Sequence, residues 1–500
     1  MTVARVFSAR LIALAFLAGS LLAAPPPVRA QSSSAESDTT TITFSEAVRT
    51  ALRQNATLKQ QANAARIEEI GVSQARSTFY PSLSMSLGGT QRYGRTFSQQ
   101  EGGIVSETNE TVEGGARASV NLFNGFGDVA GYRQAEHQAE ASEQSYQRAR
   151  QTVVFNVMSE FLTLIRRREQ VQVQKENLAA LRQQLQQVRE FVEVGTRPRS
   201  DLYQQQAEVA QAELDLLNAR QQYDLGRTQL IETLQLDPFG AYGFQAPAVA
   251  DSVESPARYD LAALLRRAYQ KRPDLAADRA KMEAAGEGLE VAEAGYWPSL
   301  DLSANYGSNW SSAARQPIPG TGTEPELVTV QPVGGGEPIQ LPRPGTGADP
   351  AFRRVSVGDQ LDQRRGGSVS LSISYPLFDR FRTRHCVEQA RVQRENARLA
   401  LQDRRQQVAV QVRRAYQNYE TARKRLSVTR QQVRAAEQAL RAAEQRYELG
   451  AATIVELSQA RSRFVQAQSD RVEARYDYFF QQNLLKYYTG TLDPSASLFE

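Results

Sequence analysis

Side chains able to do acid–base, nucleophilic or metal chemistry are scarce in this chain. It has two histidines, His137 and His385, and one cysteine, Cys386. The histidines are isolated in sequence, and neither lies in a cluster with metal-ligand spacing. His385 and Cys386 are adjacent, but no third residue stands out to orient them as base and nucleophile. The glycine-rich stretches, such as Gly334-Gly335-Gly336, lie in loops without the strand-to-helix setting that cradles phosphate. These residues point to no cofactor, no metal and no enzyme. With one cysteine, no intrachain disulfide is possible. Function must then lie in shape and surface.

The chain is written twice. Phe79-Tyr80-Pro81-Ser82-Leu83 recurs as Tyr296-Trp297-Pro298-Ser299-Leu300, an offset of 217. Leu122-Phe123-Asn124-Gly125-Phe126 recurs as Leu377-Phe378-Asp379-Arg380-Phe381, an offset of 255, and the same 255 relates Val194-Gly195 to Leu449-Gly450. Each half is therefore one structural unit, and the second half carries its extra residues between the two anchors. The first repeat covers 31–236, the second 259–489, with a linker at 237–258 and a tail at 490–500.

Residues 1–30 read as a secretory signal peptide. Arg5 and Arg10 form the charged start, Leu11 to Ala24 the apolar centre, and Val28-Arg29-Ala30 the cleavage site. No cysteine follows that site, so no lipid anchor is expected there. No later segment is long and apolar enough for a transmembrane helix. The formal charge of +4 includes Arg5, Arg10 and Arg29; without them it is near +1, which provides no electrostatic case for nucleic acid. Apolar residues make up 41%, below the ~45–50% of ordinary domains, so much surface stays wet.

Each half reads helix, strand, loop, strand, long helix, turn, helix. One helix is expected from Thr43 to about Ser77, stopped by Pro81, and one of similar length, ~36 residues, before the second hairpin. The hairpins cover about 82–123 and 299–378. Leu83, Met85 and Leu87 alternate with serines, as do Val369, Leu371, Ile373 and Tyr375. The return strand of the first hairpin alternates Ala116, Ala118, Val120 and Leu122, and the outgoing strand of the second Leu300, Leu302, Ala304 and Tyr306. Period two, with aromatic residues at both strand ends, is the pattern of a barrel strand with lipid on one side and water on the other. The competing reading is a soluble hairpin with one buried face. Loops are expected at 94–113 and, longer, at 307–367. Four strands cannot close a membrane barrel, for which the minimum is ~8. Two copies would supply eight strands with a filled interior, three twelve with an open bore.

The long helices cover about 127–194 and 382–449, each ~100 Å at 1.5 Å per residue. Shorter helices follow at about 199–236 and 453–489. Leu202, Val209, Leu216, Tyr223 and Leu230 recur every seven residues, with Ala212, Ala219 and Gly226 three after the large ones; the second copy repeats this with Leu457, Phe464, Tyr478 and Leu485. Leu178, Leu181, Leu185, Val188 and Val192 face them from the long helix. This is left-handed coiled-coil spacing.

Taken together, the signal peptide, the duplicated helix–hairpin–helix halves, the Tyr/Phe-Pro-Ser-Leu strand start, the Leu-Phe-Asn/Asp-Gly/Arg strand exit and the Val/Leu-Gly-x turns resemble the TolC-like outer-membrane efflux proteins over nearly all of 40–494. The resemblance implies an α+β membrane protein: a homotrimer whose twelve-stranded barrel in outer-membrane lipid continues into a long periplasmic α-helical coiled-coil barrel. It implies passive export for an inner-membrane transporter, coupled through a periplasmic adaptor. The linker 237–258 and the tail would join an equatorial belt.

The resemblance also implies a gate at the helix turns. Tyr447 and Asp201 occupy the places of a phenol–carboxylate link that holds the coils closed. Ala452 stands where the family has a second-turn arginine, so Arg197 or Arg199 would have to replace it from the first turn. Glu456 matches the first acidic ring of the lumen constriction, while Gln459 replaces the second. Three Glu456 carboxylates would still favour cations. The adaptor would dock on Val194-Gly195-Thr196 and Leu449-Gly450-Ala451, whose glycines also fit simple helix caps. Without the resemblance, each charged residue reads as a solvated helix-end charge. The alternative function is a periplasmic coiled-coil scaffold or adaptor without a pore; a third is an adhesin using loop 307–367.

Overall fold

The computed structural model describes residues 40–98, 103–106, 108–245, 258–318, 326–343 and 352–492. The signal peptide, the second half of the linker and most of the C-terminal tail lie outside the described residues. The first repeat contains β1 (Thr40–Thr43), α1 (Phe44–Gln54), α2 (Ala56–Ser77), β2 (Ser82–Arg92), β3 (Arg95–Ser98), β4 (Gly103–Ser106), β5 (Asn109–Asn124), α3 (Gly127–Glu193) and α4 (Arg199–Thr233). After β6 (Tyr242–Gln245), the second repeat contains α5 (Leu261–Lys271), α6 (Pro273–Glu293), β7 (Ser299–Ser311), β8 (Arg315–Pro317), β9 (Glu326–Val330), β10 (Ile339–Arg343), β11 (Phe352–Arg354), α7 (Val357–Gln363), β12 (Gly366–Ser374), α8 (Arg382–Glu448) and α9 (Ile454–Tyr488). α3 and α8 each have 67 residues, and α4 and α9 each have 35.

The helix expected from Thr43 to Ser77 is two helices. Its break is Asn55, whose backbone leaves the helical region and whose side chain accepts from the Leu58 amide at 2.9 Å. The second repeat breaks at the matching place, where Arg272 is extended and Pro273 opens α6. Proline suits a first helical turn and disfavours helix in the residue before it. The two loops also hold more structure than expected. β5 begins at Asn109 inside 94–113, where β3 and β4 form a ribbon. Within 307–367, β7 runs on to Ser311, β9 pairs with β10, β8 with β11, and α7 packs against β7.

The two hairpins form one antiparallel sheet in the order β12-β7-β5-β2. Its register carries the alternation across all four strands. Leu83 pairs with Ala118, Ala118 with Ala304, and Ala304 with Val369. On the opposite face Asn121 and Asp301 are partners, joined by a 2.9 Å hydrogen bond. The apolar face is bare: Leu83 is 79% and Met85 87% exposed. At the sheet exit the chain turns through left-handed residues, Gly125 and Phe126 in one repeat and Arg380 and Phe381 in the other. Asn124 and Asp379 span the turn by accepting from the amides of Asp128 and Thr383 at 3.1 and 2.8 Å, which caps each long helix.

The heptad positions are the packed ones. Leu178 and Leu181 of α3 cluster with Val209, Ala212 and Leu216 of α4. The main core lies where α1, α5 and β6 meet the long helices. There Phe161 is fully buried between Phe44 and Phe244, with ring centroids at 5.6 and 6.2 Å. β1 and β6 pair in parallel and tie the linker to the start of the first repeat.

Candidate functional site

The candidate site is the helix-turn end of the molecule, built by the two interhelical turns. Both long helices end in a Schellman motif. Gly195 and Gly450 take φ +77°, which lets the Thr196 amide reach the Phe191 carbonyl at 2.9 Å and the Ala451 amide reach Arg446 at 2.7 Å. A Cβ on either glycine would meet open space, so the requirement is backbone conformation alone. The caps leave Val194 and Leu449 at the tips, 72% and 84% exposed, with Gly195, Thr196, Gly450 and Ala451 also exposed.

The structure brings Arg197, Asp201 and Tyr447 together across the two turns. Tyr447 is buried in a cluster with Val188, Leu440, Ala452, Ile454 and Leu457. The Arg197 guanidinium lies over its ring, 4.2 Å from the centroid, and donates to the Tyr447 carbonyl oxygen. Asp201 is buried beside it. Burial, then the Asp201 carboxylate, push the Tyr447 phenol above its ordinary value against the opposing charge of Arg197. The hydroxyl is nevertheless buried without a well-formed hydrogen bond. Asp201 thus faces the Tyr447 phenol, and Arg197 adds a direct connection between the turns.

Arg199 is exposed at the start of α4, and Gln459 is exposed on α9. Ala452 is buried in the Tyr447 cluster. Glu456 is exposed and lies 3.5 Å from Arg446, which also donates to the Ala451 carbonyl at 3.1 Å. A cleft of about 560 Å³ runs between the turns, lined among others by Arg197, Asp201, Gln204, Thr453 and Glu456.

Three residues escaped sequence reasoning. Gln205 is fully buried and donates to the Leu181 carbonyl at 3.1 Å, joining α4 to α3. Arg461 is mostly buried and bonds Glu444 at 2.7 Å, joining α9 to α8. Both sit in Gln- and Arg-rich stretches that resemble solvated faces. Glu283 is the third: its carboxylate meets His137, so His137 is isolated only along the chain. A carboxylate from another helix leaves no spacing signal. Cys386 is exposed in the first turn of α8.

The sequence matches the family model for outer membrane efflux proteins at residues 30–234 and 264–491. Protein CyaE of Bordetella pertussis is 26% identical over 412 residues, 82% of this chain and 75% of that protein. Outer membrane protein TolC of Escherichia coli is 23% identical over 427 residues, 84% and 77% of the two chains. Among solved structures, the outer membrane protein VceC from Vibrio cholerae superimposes with a TM-score of 0.70 at 17% identity, covering 89% of this chain and 96% of that one. That likeness establishes the fold.

Proposed function

The chain belongs to the outer membrane efflux protein family, and from that premise we infer that it is the outer-membrane exit duct of a tripartite efflux or type I secretion system. It sits in the outer membrane of a Gram-negative-type cell with a large periplasmic part. Substrate passes through it passively, delivered by an inner-membrane transporter through a periplasmic adaptor.

The observation that carries this reading is a sheet left open on both edges with its apolar face bare. β5 and β7 join the two repeats inside one chain, while among the described residues β2 and β12 keep free edges. The helices repeat the asymmetry. α6 packs against both α3 and α8, whereas α2, its equivalent, packs on α3 and leaves Ile67 and Ile70 exposed. A second copy, placed head to tail, would supply to β2 and α2, from its β12 and α8, what β5 and α3 supply to β7 and α6 within the chain. Head-to-tail contacts form a ring when the rotation between copies closes. Three copies make twelve strands with room for an open bore, lipid on the Leu83 and Met85 face and water on the Asn121 and Asp301 face. In such a ring α3, α4, α8 and α9 form a tube below the membrane whose far end is the pair of turns. Arg197, Tyr447 and Asp201 then act as its gate, Glu456 contributes to its constriction, and the exposed Val194 and Leu449 tips dock the adaptor.

Single-channel recording of the detergent-extracted protein in a planar bilayer tests this. Small, discrete, cation-preferring steps are expected. Absence of steps from correctly inserted oligomers would remove the pore.

A further inference from the structure

We propose that His137, Glu140 and Glu283 form a binding site for a divalent metal ion of the zinc class, pinning a helix of one repeat to a helix of the other. His137 and Glu140 stand three residues apart on α3 and so share a face. α6 runs antiparallel to α3: Gly127 lies against Ala294, and Gln134 against Gly288. That packing brings in Glu283. Nδ1 of His137 lies 3.5 Å from Oε2 of Glu283 and 3.8 Å from Oε2 of Glu140. All three donor atoms fall within 4.8 Å of one another.

These separations are long for hydrogen bonds, which cluster near ~2.9 Å. They are close to the ~3.3 Å edge of a tetrahedron built from zinc bonds of about 2.0–2.1 Å. The three side chains are partly exposed and free to make the remaining adjustment. One imidazole and two carboxylates, with a fourth position open to water, suit zinc and its neighbours. Calcium and magnesium prefer oxygen alone. A second observation points the same way. One turn beyond Glu283, a carboxylate oxygen of Glu287 is buried with no hydrogen-bond partner. The α3–α6 seam thus sets two carboxylates, Glu140 and Glu283, at one imidazole, with a third, Glu287, one turn further along α6. A divalent ion seated there would offset that negative charge.

The test uses the full-length protein, purified in detergent without a histidine tag and stripped with chelator. Zinc is titrated by calorimetry, and thermal unfolding is followed with and without it. The expected result is one zinc per chain, with affinity falling roughly tenfold or more in His137→Ala and Glu283→Gln and unchanged in His385→Ala. Zinc should raise Tm in the wild type but not in His137→Ala. Absence of saturable zinc binding overturns the proposal. So does equal affinity in wild type and His137→Ala, or loss of binding in His385→Ala. Circular dichroism and oligomer size confirm the fold, and if His137→Ala misfolds, the exposed Glu283→Gln carries the comparison.

Discussion

At the scale of single residues, the proposed gate would rest on Arg197 more than on the Tyr447 hydroxyl. A guanidinium over an aromatic face contributes about 0.5–2 kcal/mol, depending on desolvation, and Arg197 adds a hydrogen bond to the opposite turn. The hydroxyl makes no good bond to lose. Arg197→Ala should therefore increase single-channel conductance more than Tyr447→Phe, which keeps the ring. The reverse order would restore the phenol as the lock. Arg446 sits 3.5 Å from Glu456 and partly neutralises it, so Arg446→Ala should raise cation preference and Glu456→Gln lower it. Reversal potentials in a salt gradient check both. The residues at the turns were legible because a glycine break marks each turn and the resemblance assigns their places. The stacking of Arg197 was not, since it joins residues 250 positions apart.

At the scale of elements, the helix breaks bear the most consequence. Arg272 ends α5 and is almost fully buried. It holds Asp274 through two bonds of 2.9 and 2.5 Å and reaches Gln411 of α8 at 2.8 Å. Removing one partner of a buried ion pair costs about 3–5 kcal/mol, so Arg272→Ala should lower Tm more than any exposed arginine substitution. Burial raises the Asp274 carboxyl, but Arg272 outweighs it and the net shift is downward. A depressed carboxylate stabilises the fold above its unfolded pKa, ~3.9, and that contribution is lost as pH falls further through the folded value. The Tm difference between wild type and Arg272→Ala should accordingly shrink below about pH 4; a constant difference would discount the pairing. Arg380 sits in the left-handed region at φ 60°, where its repeat partner is Gly125. Arg380→Gly should stabilise by about 1 kcal/mol, read as a rise in Tm; a fall would show that its side chain holds contacts worth more than the strain. The breaks went unseen because helical periodicity continues through them, although Asn55 and Pro273 are the residue types that cap and open helices.

At the scale of the whole molecule, the bare apolar face and the open edges are what the proposed assembly would cover. A charge at mid-membrane on the lipid face of a barrel costs about 2–4 kcal/mol. Met85→Arg should therefore reduce the yield of assembled protein in outer-membrane extracts, while Ser84→Arg, on the opposite face, should not. Equal yields would mean that Met85 does not meet lipid. Light scattering in detergent should give the mass of three chains; a single-chain mass would leave the sheet unclosed.

The duplication, the strand and long-helix periodicities and the turns were legible in the sequence. Each of these is a local pattern repeated with the period of its own secondary structure, and the residues 217 or 255 positions apart repeat it independently. What meets across elements emerged only with the fold: β1 with β6, α6 between α3 and α8, Arg197 on Tyr447, and Glu283 beside His137. Such contacts depend on how two helices or strands are placed against each other, and no spacing within either one encodes that placement.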